Sequence, residues 1–198
     1  MGLDLEYTSG QTPLDPEEVE GLLIDFISLR SELDEFEQQN IEEAMLWVLK
    51  QRLKPDRILS EAFICQLHKK MYGNVWAWAG QFRNTEKNIG IVSWKIGLDL
   101  RNLLGDALYW VEHRTYPPDE IAIRFKHRIV SIHCFPNGNG RHSRLMADVI
   151  IDKIFNQGVF SWGAANILRK GEERACYLKA LRSADSGDID PLLAFSRS

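Results

Sequence analysis

One segment near the middle of the chain is apolar on almost every side. Residues 141–158 read RHSRLMADVIIDKIFNQG, and the apolar side chains from Leu145 to Phe155 would cover most of the circumference of a helix. A helix that is apolar nearly all round is buried among other elements. We therefore expect a central helix here, with the other helices packed around it.

The remaining chain shows apolar residues at helical spacing in several segments. This spacing predicts helices at residues 16–30, 31–53, 56–71, 98–113 and 119–133, and short helices after the central one. Residues 1–15 are polar and are predicted to form an arm. Residues 16–198 are predicted to form one domain, with 16–53 as its N-terminal helices.

Residues 74–97 differ from the rest of the chain. They read NVWAWAGQFRNTEKNIGIVSWKIG, rich in aromatic and β-branched residues, with a turn-like TEKNIG in the middle. This pattern favours two strands joined by a turn. The predicted fold class is therefore all-α, a helical bundle around a central helix with one small β-hairpin.

Composition narrows the class of protein. The chain has 198 residues, of which 44% are apolar and 26% charged, which is typical of a globular protein with its own core. Its net charge is −4 and it has no basic run, so a nucleic acid is not expected as the main partner. No apolar run approaches the ~18 residues of a membrane span, and we expect a soluble cytoplasmic protein. The three cysteines form no CxxC pair, which argues against a zinc or redox site.

The loop HCFPNGNGR, residues 133–141, precedes the central helix and carries candidate chemistry. Glycine-rich turns at a helix N-terminus direct several N–H groups, and a partial positive charge, toward one point. Arg141 and Arg144 are three residues apart, so they share a helix face, and arginine matches phosphate geometry. His133 could accept a proton near neutral pH. The loop indicates an anion cradle with a base, suited to phosphoryl or nucleotidyl transfer; the alternative is an ordinary interhelical turn with surface arginines.

A longer pattern decides between these interpretations. Residues 133–144 resemble the signature of the Fic (Fic/DOC) family, H-P-F-x-[D/E]-G-N-G-R-x-x-R. The matching positions are His133, Phe135, Gly138, Asn139, Gly140, Arg141 and Arg144. The sequence departs from the signature at Cys134 and Asn137. WAGQFR and KNIG resemble the family's hairpin region, and residues 30–49 with the overall length resemble the subgroup called mobile mystery protein B.

The resemblance implies a Fic fold and a protein adenylyltransferase. Such enzymes transfer AMP from ATP to a Ser, Thr or Tyr hydroxyl of a target protein. His133 would be the catalytic base, Phe135 would pack the loop onto the core, and Tyr177 would lie on the adenine side or in the core. The implied phosphate-binding residues are Gly138, Asn139, Gly140, Arg141 and Arg144. The predicted hairpin would be the flap that pairs with the target, and its tip consists of Lys87, Asn88, Ile89, Gly90 and Ile91.

The departure at Asn137 leaves alternatives open. The family's acid binds Mg²⁺ here, whereas an amide oxygen carries no charge. One alternative is a catalytically idle module that binds a nucleotide or a partner. Another is an enzyme that transfers a different phosphate-containing group, such as UMP, phosphate or phosphocholine. The target protein is not identified by the sequence, and a homodimer is left open.

Many Fic proteins carry an inhibitory helix in which a glutamate pairs with the motif's second arginine. Its usual pattern, [S/T]-x-x-x-E-[G/N], is not met in the second predicted helix, because Phe36 follows Ser31 to Glu35, and helix geometry gives a better candidate. At ~100° per residue, Glu37 falls in the middle of the apolar stripe, whereas Glu35 falls on the opposite side. A buried carboxylate needs a partner. We expect Glu37 to be inhibitory and to pair with Arg144; the alternative is a purely structural pair with another arginine.

Overall fold

A computed structural model describes residues 14–27, 29–164 and 170–198, so most of the predicted arm, residues 1–13, lies outside the described residues. The described residues contain nine α-helices and a short 3₁₀ turn at Ser93–Lys95. The helices are α1 (Pro16–Val19), α2 (Arg30–Leu49), α3 (Pro55–Ile58), α4 (Glu61–Tyr72), α5 (Ile96–His113), α6 (Pro118–Ile132), α7 (Asn139–Val149), α8 (Lys170–Asp185) and α9 (Asp190–Ser196).

The central helix is confirmed. α7 continues into a π-helical turn at Ile150–Ile154, and its apolar residues are almost completely buried. α6 packs against both α7 and α5, α2 packs against α4, and α4 contacts α7. The loop between α6 and α7 therefore starts and ends on buried helices, which fixes the position of the candidate site.

Three predicted helices are shorter or divided. The helix predicted at residues 31–53 ends at Leu49. The helix predicted at residues 16–30 extends only over α1, because the following chain pairs with another loop: the amide of Leu23 donates to the carbonyl of Val75 (2.8 Å) and that of Ala77 to Gly21 (2.8 Å). The helix predicted at 56–71 is divided into α3 and α4, since Ser60 caps α4 by accepting from the amide of Phe63 at 3.2 Å.

The predicted hairpin is wrong as regular structure. Residues 74–92 form turns and bends, and the described residues contain no strand; Trp76 forms an isolated bridge with Leu22. The physical reason is a buried arginine. Arg83 donates to the carbonyls of Thr85 (2.8 Å) and Ile91, one on each arm of the loop. The guanidinium therefore joins the two arms, in place of the backbone hydrogen bonds that would join the strands of a hairpin. We keep the name flap for residues 84–92.

The face of α2 that packs on the protein is the predicted one. Glu37 and Asn40 are buried among Leu33, Ala44 and Val48, whereas Glu35 is exposed. In the described part of the chain, no helix has the length and apolar character required to cross a membrane.

Candidate active site

The loop between α6 and α7 has a fixed conformation. His133 ends α6 in the left-handed region (φ 58°), and Gly138 precedes α7 with φ 78°. Phe135 lies between these two residues, and the side chain of Asn139 accepts a hydrogen bond from its amide (2.9 Å) and donates one to its carbonyl (2.7 Å). A fully buried amide side chain that satisfies both backbone groups of another residue closes this loop from inside.

An aromatic stack holds the loop from below. Phe135 is completely buried, and its ring stacks on His68 with centroids 3.7 Å apart. His68 accepts from the amide of Gly80 at Nδ1 (3.0 Å), so its Nε2 is the donor to the carbonyl of Asn137 at 3.0 Å. Burial, and next the neighbouring His142, hold the pKa of His68 well below its ordinary value, which keeps the ring neutral in this role.

The first turn of α7 has the general features of a helix N-terminus, with a tightly packed glycine before it. Its first amides have no acceptor within the helix, and the helix N-terminus carries a partial positive charge. Gly138 packs so tightly against Tyr72 that a Cβ there would lie 2.6 Å from the phenol ring. By contrast, apart from its own helix backbone and chain neighbours, nothing lies within 4 Å of a Cβ at Gly140, so this side of the first turn is not packed against another element.

Glu37 contacts the first arginine of the motif and not the second. Its Oε2 lies 2.6 Å from a guanidinium nitrogen of Arg141, and its Oε1 accepts from the indole N–H of Trp76 at 2.7 Å. Arg141 also lies over the ring of Tyr72, 5.2 Å from its centroid. The predicted pair with Arg144 is therefore wrong: the axial position of α2 brings Glu37 to the N-terminal end of α7, one turn before Arg144.

Arg144 faces the C-terminal helices. Its guanidinium lies 5.7 Å from the ring centroid of Tyr177 in α8. On the same ring, the ammonium of Lys126 lies 4.5 Å from the centroid and donates to the phenol oxygen. Lys126 is completely buried, and burial together with Arg144 lowers its pKa to about 7. Tyr177 is thus half-buried between two basic side chains, one of which belongs to the motif.

His133 is buried beneath the flap. Only 4% of it is exposed, and a Cβ at Gly90 would lie 2.5 Å from the Cβ of His133. Burial, then the nearby charges of Arg83 and Lys87, lower the pKa of His133 to about 4. The imidazole is therefore neutral at physiological pH, which is the protonation state of a base.

The flap residues differ in their surroundings. Asn88, Ile89 and Gly90 are exposed, and the amide of Ile91 reaches the carbonyl of Ile132 at 3.4 Å. Lys87, by contrast, turns inward: its side chain is 3% exposed.

Both oxygens of Asn137 accept hydrogen bonds within the protein. Its Oδ1 accepts from the amide of Gly138 at 2.6 Å, and its carbonyl accepts from His68. Mg²⁺ is usually held by one or two carboxylates together with substrate phosphates. The nearby carboxylate, Glu37, is paired with Arg141, and no described cluster of three or more His, Cys, Asp or Glu side chains could hold a metal ion. The residues present do not fit a protein-anchored magnesium site.

Four residues that contact this site were not predicted: His68, Tyr72, Trp76 and Arg83. Trp76 and Arg83 lie within the segment interpreted as a hairpin, where aromatic residues indicated packing alone. The sequence does not mark Arg83, because it stands between Phe82 and the polar Asn84 and nothing local indicates that its guanidinium is buried. No sequence signal marks Tyr72, since a tyrosine at the end of an amphipathic helix is an ordinary core residue.

Similarity to known proteins agrees with this geometry. Residues 58–151 match the model of the Fic/DOC family. The protein adenylyltransferase Fic of Nematostella vectensis is 25% identical over 170 residues, which cover 84% of this chain but only 38% of that protein. The chain thus spans well under half the length of this relative.

Solved structures share the fold. The N-terminal FIC domain of Bep8 from Bartonella sp. 1-1C superposes with a TM-score of 0.69 at 11% identity, covering 90% of each chain. BepC of Bartonella tribocorum, solved with bound AMPPNP, gives 0.64 at 15% identity, covering 84% of this chain and 85% of that one. The all-α architecture is therefore that of Fic structures, and residues 58–151 identify a Fic/DOC family domain in this chain.

Proposed function

We propose that this protein is an adenylyltransferase that moves AMP from ATP to a Ser, Thr or Tyr hydroxyl of a target protein and that is held inactive by α2. The single observation that carries the proposal is the pair between Glu37 and Arg141 at the N-terminus of α7. Arg141 lies in the first turn of a helix, where a phosphate can bind. A carboxylate from another helix already occupies this arginine in place of a phosphate. The name of the Nematostella vectensis relative supports adenylyl transfer.

In this proposal His133 is the base. It would take the proton of the target hydroxyl as that oxygen attacks the α-phosphorus of ATP; the bond to the β-phosphate breaks and pyrophosphate leaves. The lowered pKa of His133 keeps it able to accept the proton at neutral pH. Phe135 and Asn139 would hold the loop, since their contacts fix its conformation from inside.

The phosphates would lie on the first turn of α7. The amides of Gly138, Asn139 and Gly140 would form the cradle, and Arg141 and Arg144 would neutralise the β- and γ-phosphates. Tyr177 lies beside Arg144, which supports a place for it near the nucleotide.

Inhibition would act through charge and occupancy together. While Glu37 holds Arg141, an incoming phosphate loses a bidentate donor and meets a carboxylate. Trp76 stabilises this state by donating to the other carboxylate oxygen. Glu37 is 5% exposed, so water does little to screen its charge.

Mg²⁺ would accompany ATP and be held mainly by its phosphates, since Asn137 offers at most a neutral oxygen. This observation favours one rival, a catalytically idle nucleotide-binding module, over transfer of UMP, phosphate or phosphocholine. We also propose that α2 relates the chain to the mobile mystery protein B subgroup and that the tip of the flap, Lys87 to Ile91, receives the target segment. A homodimer stays a prediction.

The test is transfer of label. The Glu37→Gly variant is incubated with Mg²⁺ and α-labelled ATP, alone and with a cell lysate as a source of acceptors, beside the Glu37→Gly/His133→Ala double variant. Protein-bound label that His133→Ala abolishes supports adenylyl transfer. Label from γ-labelled ATP would instead indicate phosphate transfer, and label only from α-labelled UTP would indicate uridylyl transfer. ATP binding without label from any nucleotide would favour the idle module.

A further inference from the structure

The flap is held by a segment that lies outside residues 58–151, the part of the chain that matches the family model. The ammonium of Lys87 lies 2.7 Å from Oδ2 of Asp15 and 2.5 Å from Oε2 of Glu18, and its side chain is 3% exposed. The hydroxyl of Thr85 donates to Oε1 of Glu18 at 2.9 Å. Both carboxylate oxygens of Glu18 are therefore bonded to the same arm of the flap, and charge-assisted bonds of this kind are the stronger ones in proteins.

The segment that carries these carboxylates has little stability of its own. α1 has four residues, far fewer than a helix needs to persist alone. It is attached through the carbonyl of Glu18, which accepts from the indole N–H of Trp78 (3.0 Å), and through the backbone bonds of Gly21 and Leu23 to the loop at residues 75–77. Such an element can detach at a small fraction of the free energy of global unfolding.

The closed flap denies access to the base. The backbone at Gly90 lies directly against His133, and Arg83 ties the two arms of the flap to the carbonyl of His133 (2.7 Å). With 4% of its surface exposed, His133 has no room for a hydroxyl beside it. Removal of Glu37 from Arg141 would free the phosphate side of the site but would leave His133 covered by the flap.

We propose that α1 is a latch on the hydroxyl side of the site: Asp15 and Glu18 hold Lys87, so the flap stays closed over His133 until α1 detaches. The effect of the latch on catalysis rests on the proposed function, because His133 is a catalytic base only in that proposal. Closure of the flap by α1, however, is a property of the fold, and it is measured without ATP. The chain thus has two separate locks, α2 on the phosphate side and α1 on the hydroxyl side.

The experiment measures the reactivity of His133 toward diethyl pyrocarbonate at neutral pH, read by peptide mass spectrometry. Wild type is compared with Asp15→Asn/Glu18→Gln and with Asp106→Asn/Glu120→Gln. The second double variant removes the same charges from surface pairs with Arg128 and Arg124. The exposed His113 reports reagent activity, and the buried His142 reports global unfolding.

The latch predicts that His133 is modified about fivefold faster or more in Asp15→Asn/Glu18→Gln, with the matched control unchanged and His142 protected throughout. Lys87→Met breaks the same contact from the flap and should increase the reactivity of His133 equally. If His142 becomes reactive in Asp15→Asn/Glu18→Gln, that variant has unfolded, and Lys87→Met then provides the test. Reactivity of His133 equal to wild type in both Lys87→Met and the folded double variant would overturn the latch. So would wild-type His133 reacting as fast as His113. Neither result depends on adenylyl transfer, so failure of the latch and failure of the proposed function are distinguishable.

Discussion

The carboxylate of Glu37 in α2 and the guanidinium of Arg141 in α7 lie 2.6 Å apart, across 104 residues of sequence. Glu37 is almost fully buried, whereas 31% of the Arg141 side chain is exposed. The exposed part of Arg141 faces solvent at the N-terminus of a helix, where phosphates bind. In the proposed function, this pair joins the inhibitory helix to the phosphate site.

Trp76→Phe keeps an aromatic ring but removes the N–H that donates to Glu37. We expect the free energy of unfolding to fall by about 1–2 kcal/mol, because a buried carboxylate oxygen loses its partner. ATP affinity should rise by a few-fold, since Glu37 is then less firmly held on Arg141. Urea unfolding and calorimetric titration check the two effects. Trp94→Phe, at an exposed tryptophan, is the control, and it should change neither quantity.

Asn137→Asp restores an acid to the motif and tests the metal account. A carboxylate near the phosphates should make ATP binding more dependent on Mg²⁺, by about tenfold or more in affinity. The measurement is ATP titration with Mg²⁺ and with EDTA, in the Glu37→Gly background. If the wild-type amide and the aspartate variant showed the same Mg²⁺ dependence, position 137 would have no part in metal binding.

The buried histidines should make stability fall at mildly acidic pH. Burial lowers the pKa of His142 to about 4, whereas an unfolded histidine titrates near 6.5. The unfolded chain therefore binds more protons between these values, so the stabilisation is complete above about pH 6.5 and is lost as the pH falls toward 4. Between about pH 7.5 and 5.5, wild type should lose about 1 kcal/mol more stability than His142→Asn. Equal losses in denaturant titrations would show that His142 does not titrate in this way.

Two glycine substitutions should have opposite effects. Gly138→Ala places a Cβ 2.6 Å from Tyr72 at φ 78°, so it should destabilise the protein by roughly 1–3 kcal/mol and displace the cradle. Gly105→Ala lies in the exposed interior of α5 with nothing within 4 Å of the new Cβ, and should stabilise by about 0.5–1 kcal/mol. Thermal unfolding compares the two; a stable Gly138→Ala variant with normal ATP binding would contradict the tight packing of the loop.

Helix geometry made much of this structure predictable. The burial of Glu37 follows from its position among Leu33, Ala44 and Val48, since a helix fixes which residues share a face. The central helix follows from its apolar circumference. The choice between Arg141 and Arg144 could not be predicted, because it depends on how far α2 is shifted along α7, and that shift is set by packing.

The flap shows where local pattern fails. Aromatic and β-branched residues favour strands only when a neighbouring strand is available to pair with them. Here Arg83 takes the carbonyls of both arms, and α1 takes Lys87. The carboxylates that bind Lys87 are distant from it in the sequence, and the partners of Arg83 are backbone carbonyls. The pattern of apolar residues in the flap therefore could not predict either contact.

The measurement that tests the central claim most directly is ATP affinity by calorimetric titration in wild type, Glu37→Gly and Glu35→Gly. The two variants place glycine in the same helix and remove the same charge, but Glu35 is exposed and Glu37 holds Arg141. We predict that Glu37→Gly binds ATP about tenfold more tightly or better, because Arg141 becomes free to bind phosphate, while Glu35→Gly binds like wild type. Equal ATP affinity in all three proteins would contradict the claim that Glu37 closes the phosphate site.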